Sequence, residues 1–414
     1  MKRKLTLVLV AVFALSLLIG AVPSAAQDSV EITVWFTGDD QQAEALSIAA
    51  DAWEAETGNM VNVEAVGWGD AYARALTATT SGEGADILMG GMSWGISLGE
   101  LGGMVNLAEK YPDDIAEIAE ISSPAFYDAI VSRDGSVYGI PYNLDVYVMY
   151  YRNDLIDPPP ATWDELRDTV VALQDDGAQG LAIVWGNSEV WSFTNTLYQA
   201  GGQWYADDCS AAAVNSDEGL DALEFYVEMY DDLGAPAEST DVGTGLSTGD
   251  YPIVFDGEWT ASGIDASYPD LEGLWSVAPL PVGSGGNYTA FIGGKMMGIF
   301  SFSSHPDEAF DFMKFLGTEE AAAAQIQAYF DRQNIFVPPQ PAWGEYILGG
   351  ENLKDTLNTQ LLDVVGPPNC YGWEEVNNDV TLQLQAALFE DQDLEDTLYE
   401  IEAILNDGLE EYGK

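Results

Sequence analysis

Apolar and polar positions alternate along "VEITVWFTGDD" (residues 30–40), the period of a half-buried strand, and the stretch ends in a Gly-Asp-Asp loop. In the following "QQAEALSIAADAWEAETG", Leu46, Ala49, Ala50 and Trp53 recur at helical spacing, and Gly58 supplies a stop. "NVEAV" (62–66) and "ADILMG" (85–90) read as further strands, with a helix over about residues 70–80 between them. Strands alternating with helices predict an α/β chain with a mostly parallel sheet, whose ligands sit beyond the carboxyl ends of the strands. The loops at 38–41, 67–70 and 90–95 are therefore candidate ligand loops.

A second series follows. "PPPATWDEL" offers Thr162 as N-cap and Glu165 three residues on, a capping box at a helix start. "GLAIVWG" reads as a strand, "WSFTNTLYQAGG" and "SDEGLDALEFYVEMYDDLG" as helices, and "YPIVFDGEW" as a strand running into a loop or helix start. A third portion opens with the strand region "NYTAFIGGKMMGIFSFS". Behind Pro306 a helix sets Ala309, Phe312, Met313 and Leu316 on one face, and the tail from about Asp355 is largely helical. No internal repeat or low-complexity linker separates these portions.

The N-terminus departs from this alternation. "MKRKLTLVLVAVFALSLLIGAVPSAAQ" combines a basic start, an apolar run and a small-residue cleavage pattern, which marks residues 1–26 as a secretory signal cut before Gln27. No cysteine follows the cut site, so a lipid anchor is not expected, and no later segment is apolar for long enough to span a bilayer. The mature chain is expected outside the cytoplasm, secreted or periplasmic, and soluble. About 388 residues remain, too many for one ordinary core, so two lobes are expected.

Charge narrows the function classes. Loss of Lys2, Arg3 and Lys4 lowers the basic count from 13 to 10 against 69 acids, taking the formal charge from −56 to −59. Such a surface repels nucleic acid and anionic lipid, and so few cations count against an anionic ligand. Cys209 and Cys370 could form one bridge in a secreted chain, or remain two buried thiols. Neither has the company a metal site or thiol nucleophile needs, and His305 is the only histidine. No metal and no cofactor is expected.

Acid pairs such as Asp39 with Asp40, Asp256 with Glu258, and Glu374 with Glu375 are cheap among 69 acids, and most are expected at the surface. No nucleophile-elbow, zinc, P-loop or dinucleotide motif appears, so catalysis has no positive support. Tryptophans stand out at strand ends and helix starts instead: Trp68, Trp94, Trp191, Trp259 and Trp373, each beside Gly, Ser, Asp or Glu. One such ring more often packs than binds. Several beside carboxylates suit a sugar, whose C–H faces stack on aromatic planes while its hydroxyls bond to Asp and Glu.

At this point the chain resembles the family 1 extracellular solute-binding proteins of ABC importers, of the maltose and maltodextrin type. "ITVWFTGDDQQAEALSIAADAWEAETG" is similar to the family's first strand, ligand loop and helix, and "GEGADILMGG" to its "G-x-G-P-D-I" segment, with Ala85 in place of proline. "YGIPYNLDVYVMYYRNDLI" is similar to the segment that crosses into the second lobe, "FDGEW" followed by "APLPVG" to the "NGPW" and "LP" elements, and "SHPDEAFDFMKFL" to the helix after the return crossing.

The resemblance implies a two-lobed periplasmic-binding-protein-like fold of type II with a ligand cleft between lobes. It implies lobe segments 27–143 and 285–335 against 144–284 and 336–414. It places Asp39 and Asp40 on the first ligand loop, Asp145 just inside the crossing strand, Glu189 and Trp191 on a Glu-x-aromatic pair, Trp259 at a stacking position and Trp373 near a last aromatic platform. Gly90 stands where maltodextrin binders carry an aromatic and Asp40 where they carry lysine, so Trp68 or Trp94 is expected to take over the aromatic role. Asp70 lies on the same loop as Trp68, and Tyr142, Asn143 and Asp145 are expected on the cleft floor behind Pro141. The expected function is that of a monomeric receptor that holds a neutral carbohydrate, an oligosaccharide by preference, and passes it to importer membrane subunits. A receptor for a cationic solute such as a polyamine, and a secreted glycoside-active enzyme, are the rival readings.

Overall fold

The computed structural model describes residues 29–184 and 190–412. The expected signal segment and Glu189 lie outside the described residues. The first strands and helices fall where the hydrophobic pattern puts them: β1 (Glu31–Thr37), α1 (Asp40–Thr57), β2 (Met60–Val66), α2 (Trp68–Ser81), β3 (Ile87–Gly91) and α3 (Trp94–Glu100). Gly58 ends α1 in the left-handed conformation at φ 77°. The expected capping box also forms: Thr162 accepts from the Glu165 backbone N–H, while the Glu165 carboxylate reaches the N–H of Ala161, one residue further back than the usual pattern.

Two long strands organise the molecule. Strand β4 (Ile140–Arg152) is a single element, so the polar prefix after Pro141 lies within a strand. Further along are β5 (Leu181–Ile183), α4 (Val190–Gln199), β6 (Ile253–Gly257), β7 (Trp275–Ala278), β8 (Ala290–Ile299), the short β9 (Val364–Val365) and α5 (Trp373–Phe389). The strand order is β2-β1-β3-β8-β4-β6-β5, with β7 on β4 and β9 on β8. Residues 140–146 of β4 pair with β8, and residues 147–152 pair with β6 and β7. One strand thus serves the sheets of both lobes. Parallel ladders, β1 with β2 and β3 and β5 with β6, flank antiparallel ones made by the crossing strands.

At the changeover Leu144 is held from both sides. It pairs with Gly294 on β8, and its backbone N–H donates to Val337 O at 2.8 Å on a third passing segment. One apolar cluster, containing Ile32, Val34, Phe36 and Met89, lies under α1 and the helices Pro306–Leu316 and Glu319–Phe330. The other begins on the opposite face of the first sheet with Trp35 and Leu88 and continues into the second lobe through Val146, Val148 and Tyr150. Cys209 and Cys370 are joined as a disulfide with Cα atoms 5.6 Å apart. Among the described residues no helix is long and apolar enough to cross a membrane.

Gly294 has φ 124°, and a Cβ there would lie 2.1 Å from Asn143 O. Both the positive φ and this close approach require glycine. Gly294→Ala is expected to lower unfolding stability by about 2 kcal/mol or more. Chemical denaturation checks this; an unchanged midpoint would show that the crossing can relax.

Candidate functional site

The carboxyl ends of β1, β2 and β3 carry the first lobe's candidates. Asp39 caps α1, its Oδ1 accepting from Gln42 N at 2.8 Å, and Asp40 opens the helix; both are exposed. Trp68 opens α2 and is 48% exposed, with Asp70 exposed in the same turn. Trp94 opens α3, and its ring meets Trp68 edge-on at 5.7 Å and Tyr72 at 5.2 Å. A Cβ at Gly90 would lie 2.5 Å from Trp94 Cε3. Trp94 therefore occupies the space over β3 that any side chain at position 90 would need.

On β4 the register shifts between Pro141 and Asn143, which makes Tyr142 the extra residue of a bulge. Here the expectation for Tyr142 is corrected. It is 3% exposed, enclosed edge-on by Phe36 and Phe336, with its hydroxyl 3.4 Å from that of Tyr329. Tyr142 supports the floor from below. Asn143 is buried and donates to Asp145 Oδ1 at 2.8 Å, and Asp145 is half-buried. Burial pushes the Asp145 carboxyl up, and the nearby Lys295 ammonium pulls it back.

The second lobe supplies Trp191 and Trp259, both half-buried. Trp191 stacks one face on Phe291, ring centroids 4.5 Å apart, and leans on Trp373 at 5.8 Å. Trp259 meets Tyr147 edge-on at 6.4 Å, and Tyr147 lies beside Ser192, next to Trp191. A Cβ at Gly257 would lie 1.8 Å from Trp259 Cζ3, so the glycine of "DGEW" is what lets this ring fold back over the strand end. Trp373 is a second correction: it is 1% exposed, with Trp191, Trp204 and Tyr205 around it. Its ring props Trp191 and offers no open face.

The two lobes touch directly between these groups. The Ser93 hydroxyl, after β3, donates to the Glu374 carboxylate in the first turn of α5, and the Tyr72 hydroxyl lies 3.5 Å from Glu375. The geometry thus brings Trp68 and Trp94 of one lobe toward Trp191 and Trp373 of the other, with acids between them. Among the described residues no grouping of His, Cys, Asp and Glu side chains could hold a metal ion.

The profile of the family "Bacterial extracellular solute-binding protein" matches residues 38–323, well over half of the chain. The chain belongs to this family. It is similar to the "Probable ABC transporter-binding protein" of Deinococcus radiodurans, 26% identical over 338 residues that make up 74% of this chain and 77% of that protein. It is also similar to the maltotriose-binding protein of Pyrococcus abyssi, 25% identical over 257 residues, 60% of this chain and 54% of that protein. In fold it resembles the cyclic alpha-maltosyl-1,6-maltose binding protein from Arthrobacter globiformis, with a TM-score of 0.77 and 24% identity, over 92% of this chain and 99% of that one.

Several acids of this chain are buried. Asp256 and Glu258, expected at the surface, are 3% and 0% exposed. Glu258 Oε2 accepts from Val146 N at 2.7 Å, and Asp256 accepts from the Thr260 hydroxyl at 2.7 Å. The sequence pattern, by which most such acid pairs lie at the surface, does not single these or Glu374 out, and it gives Tyr72, Ser93 and Lys295 no place in the site. Among the acids the one signal was Glu258 itself, which stands where the "NGPW" element of the resembled family has proline.

Burial pushes Glu374 from its ordinary 4.5 up to about 7, against the pull of the Ser93 hydroxyl. Burial likewise raises Asp256 to about 7. Glu258, Glu375 and Asp145 are raised in the same sense by burial. Each folded value lies above the unfolded one, so the native state holds these protons more tightly. For Glu374 and Asp256 the stability conferred is complete below the ordinary values of 4.5 and 3.8 and is lost as pH rises through about 7; the other three act in the same direction. The melting temperature is therefore expected to fall between about pH 5 and about pH 8. Glu374→Gln is expected to flatten that fall, removing a penalty of up to about 3 kcal/mol at the alkaline end. A variant with the wild-type pH profile would contradict the assignment.

Proposed function

We propose that this protein is the substrate-binding component of an ABC importer and that it binds a neutral carbohydrate, an oligosaccharide by preference. One observation supports the reading: Trp68 on one lobe and Trp191 and Trp259 on the other keep open surface, and Asn143 and Asp145 lie paired on the strand that joins the lobes. Stacked rings with carboxylates between them match a sugar's apolar faces and hydroxyl edges. The name of the Pyrococcus abyssi relative, a maltotriose-binding protein, points the same way.

In this reading the lobes are residues 27–143 with 285–335, and 144–284 with 336–414. They close about β4, β8 and the segment at Val337. Ligand favours the closed form only so far as it touches both lobes, which is the role given to Asp39, Asp40, Trp68 and Asp70 from one side and Trp191 and Trp259 from the other, with Trp94, buried at 8% exposure, holding Trp68 from behind. Importer membrane subunits are the partners, and the receptor acts as a monomer outside the cytoplasm. A polyamine would suit the exposed Asp39, Asp40 and Asp70. The buried ammonium of Lys295 beneath Trp68 weighs against it.

Trp259→Ala is expected to weaken binding of a neutral oligosaccharide such as maltotriose at least about tenfold, or about 1.4 kcal/mol. The ring lies at a strand end outside the fully buried core, so the variant is expected to stay folded. Titration calorimetry with circular dichroism checks both; unchanged affinity in a folded variant would remove Trp259 from the site.

A further inference from the structure

Among the described residues every lysine and arginine except Arg133 and Lys295 makes an ion pair, and Arg133 donates to Cys209 Sγ. Lys295 is also the most deeply buried of them in effect, at 2% exposure in the middle of β8. Its ammonium lies 5.3 Å from the Phe36 ring and 5.4 Å from the Trp68 ring, with no described acceptor within hydrogen-bonding reach. An ammonium on a side chain this enclosed, with no protein acceptor, leaves its donors to whatever enters from solvent, and in a chain with 69 acids a paired position would have been easy to supply.

The sheet register shows what the ammonium faces. Lys295 stands directly opposite Asn143 on β4 and opposite Gly91 on β3, while Asp145, two residues beyond Asn143, stands opposite Gly293. Lys295, Asn143 and Asp145 therefore share one face of the sheet, and the glycines across from Lys295 and Asp145 leave space beside both. Asn143 gives its amide N–H groups to Asp145 and to Leu144 O, but its buried Oδ1 has no donor. The layer below is closed by Phe36, Tyr142 and Phe336; the layer above is the exposed Trp68.

Unused donors on Lys295 thus lie beside unused acceptor capacity on Asn143 and Asp145. An anion would satisfy the lysine and be repelled by Asp145. A cation would satisfy the acceptors and be repelled by Lys295. A hydroxyl both donates and accepts, so two neighbouring hydroxyls satisfy all three side chains without a net charge. We propose that Lys295, Asn143 and Asp145 form a subsite for a vicinal diol of the sugar ring that stacks on Trp68, with Lys295 as its specificity-determining residue. This rests on the carbohydrate reading and adds to it a position and a hydroxyl pattern.

The test is calorimetric titration of the full chain with maltotriose and its monodeoxy derivatives, using wild type, Lys295→Met and Lys295→Arg, with melting temperatures measured without sugar. Lys295→Met is expected to bind maltotriose about tenfold or more weakly, with the unliganded melting temperature held or raised. A monodeoxy sugar that loses affinity on wild type is expected to lose none further on Lys295→Met, and Lys295→Arg to shift the ranking of the derivatives. Wild-type affinities in Lys295→Met would overturn the subsite. So would an equal loss for every derivative with a lowered melting temperature, which would make Lys295 a structural counter-ion. If the wild type itself binds neither maltotriose nor any of a panel of neutral oligosaccharides, the carbohydrate reading fails, and the subsite with it.

Discussion

Backbone pairing at Leu144 is the constraint on which the rest of this molecule depends. One residue is fixed between Gly294 on one side and Val337 on the other, and the strand that carries it enters the sheet of each lobe. A strand pleats with a period of two, so fixing the register there decides which side chains face the cleft and which the core. The bulge at Tyr142 sets the phase: Tyr142 drops into an aromatic layer, and Asn143 and Asp145 come to lie on top of it. Gly294 is the price of the crossing, since no side chain fits against Asn143 O.

Above that floor the cleft is held by aromatic packing and buried acids. Trp94 rests over Gly90, Trp259 over Gly257, and Trp191 between Phe291 and Trp373. Each ring is fixed by the backbone or another ring, so little rotamer freedom remains to it. The acids are placed differently from those of the surface. Glu374 reaches across to Ser93, and Glu258 binds the backbone of the crossing strand, so carboxyls take part in the contact between lobes and in its support.

The alternation of strands and helices in the first lobe was legible because each element has one buried face, and Gly58 and Thr162 end and begin helices by local chemistry alone. The crossing strand was harder to read. A proline and four residues of mixed polarity look like a turn, but they are a strand because β8 pairs with them from about 150 residues away, beyond any local pattern. The tryptophans were found by their neighbours, and Trp68 and Trp259 do keep open surface. Trp373 and Tyr142 do not, because whether a ring's face is covered depends on residues distant in sequence. The buried acids were missed for a related reason: among so many carboxylates, adjacency says nothing about depth. Lys295 had a signal in principle, a lone cation inside an otherwise uncharged strand.

Ligand class is the point on which this account stands or falls. A thermal-shift screen of the full chain against neutral mono- and oligosaccharides, acidic sugars and polyamines tests it most directly, because a ligand of the native state raises the melting temperature, by more the tighter it binds at a given concentration. The account expects neutral oligosaccharides to give the largest rise, and polyamines and acidic sugars none beyond that of salt. A rise confined to polyamines would contradict it.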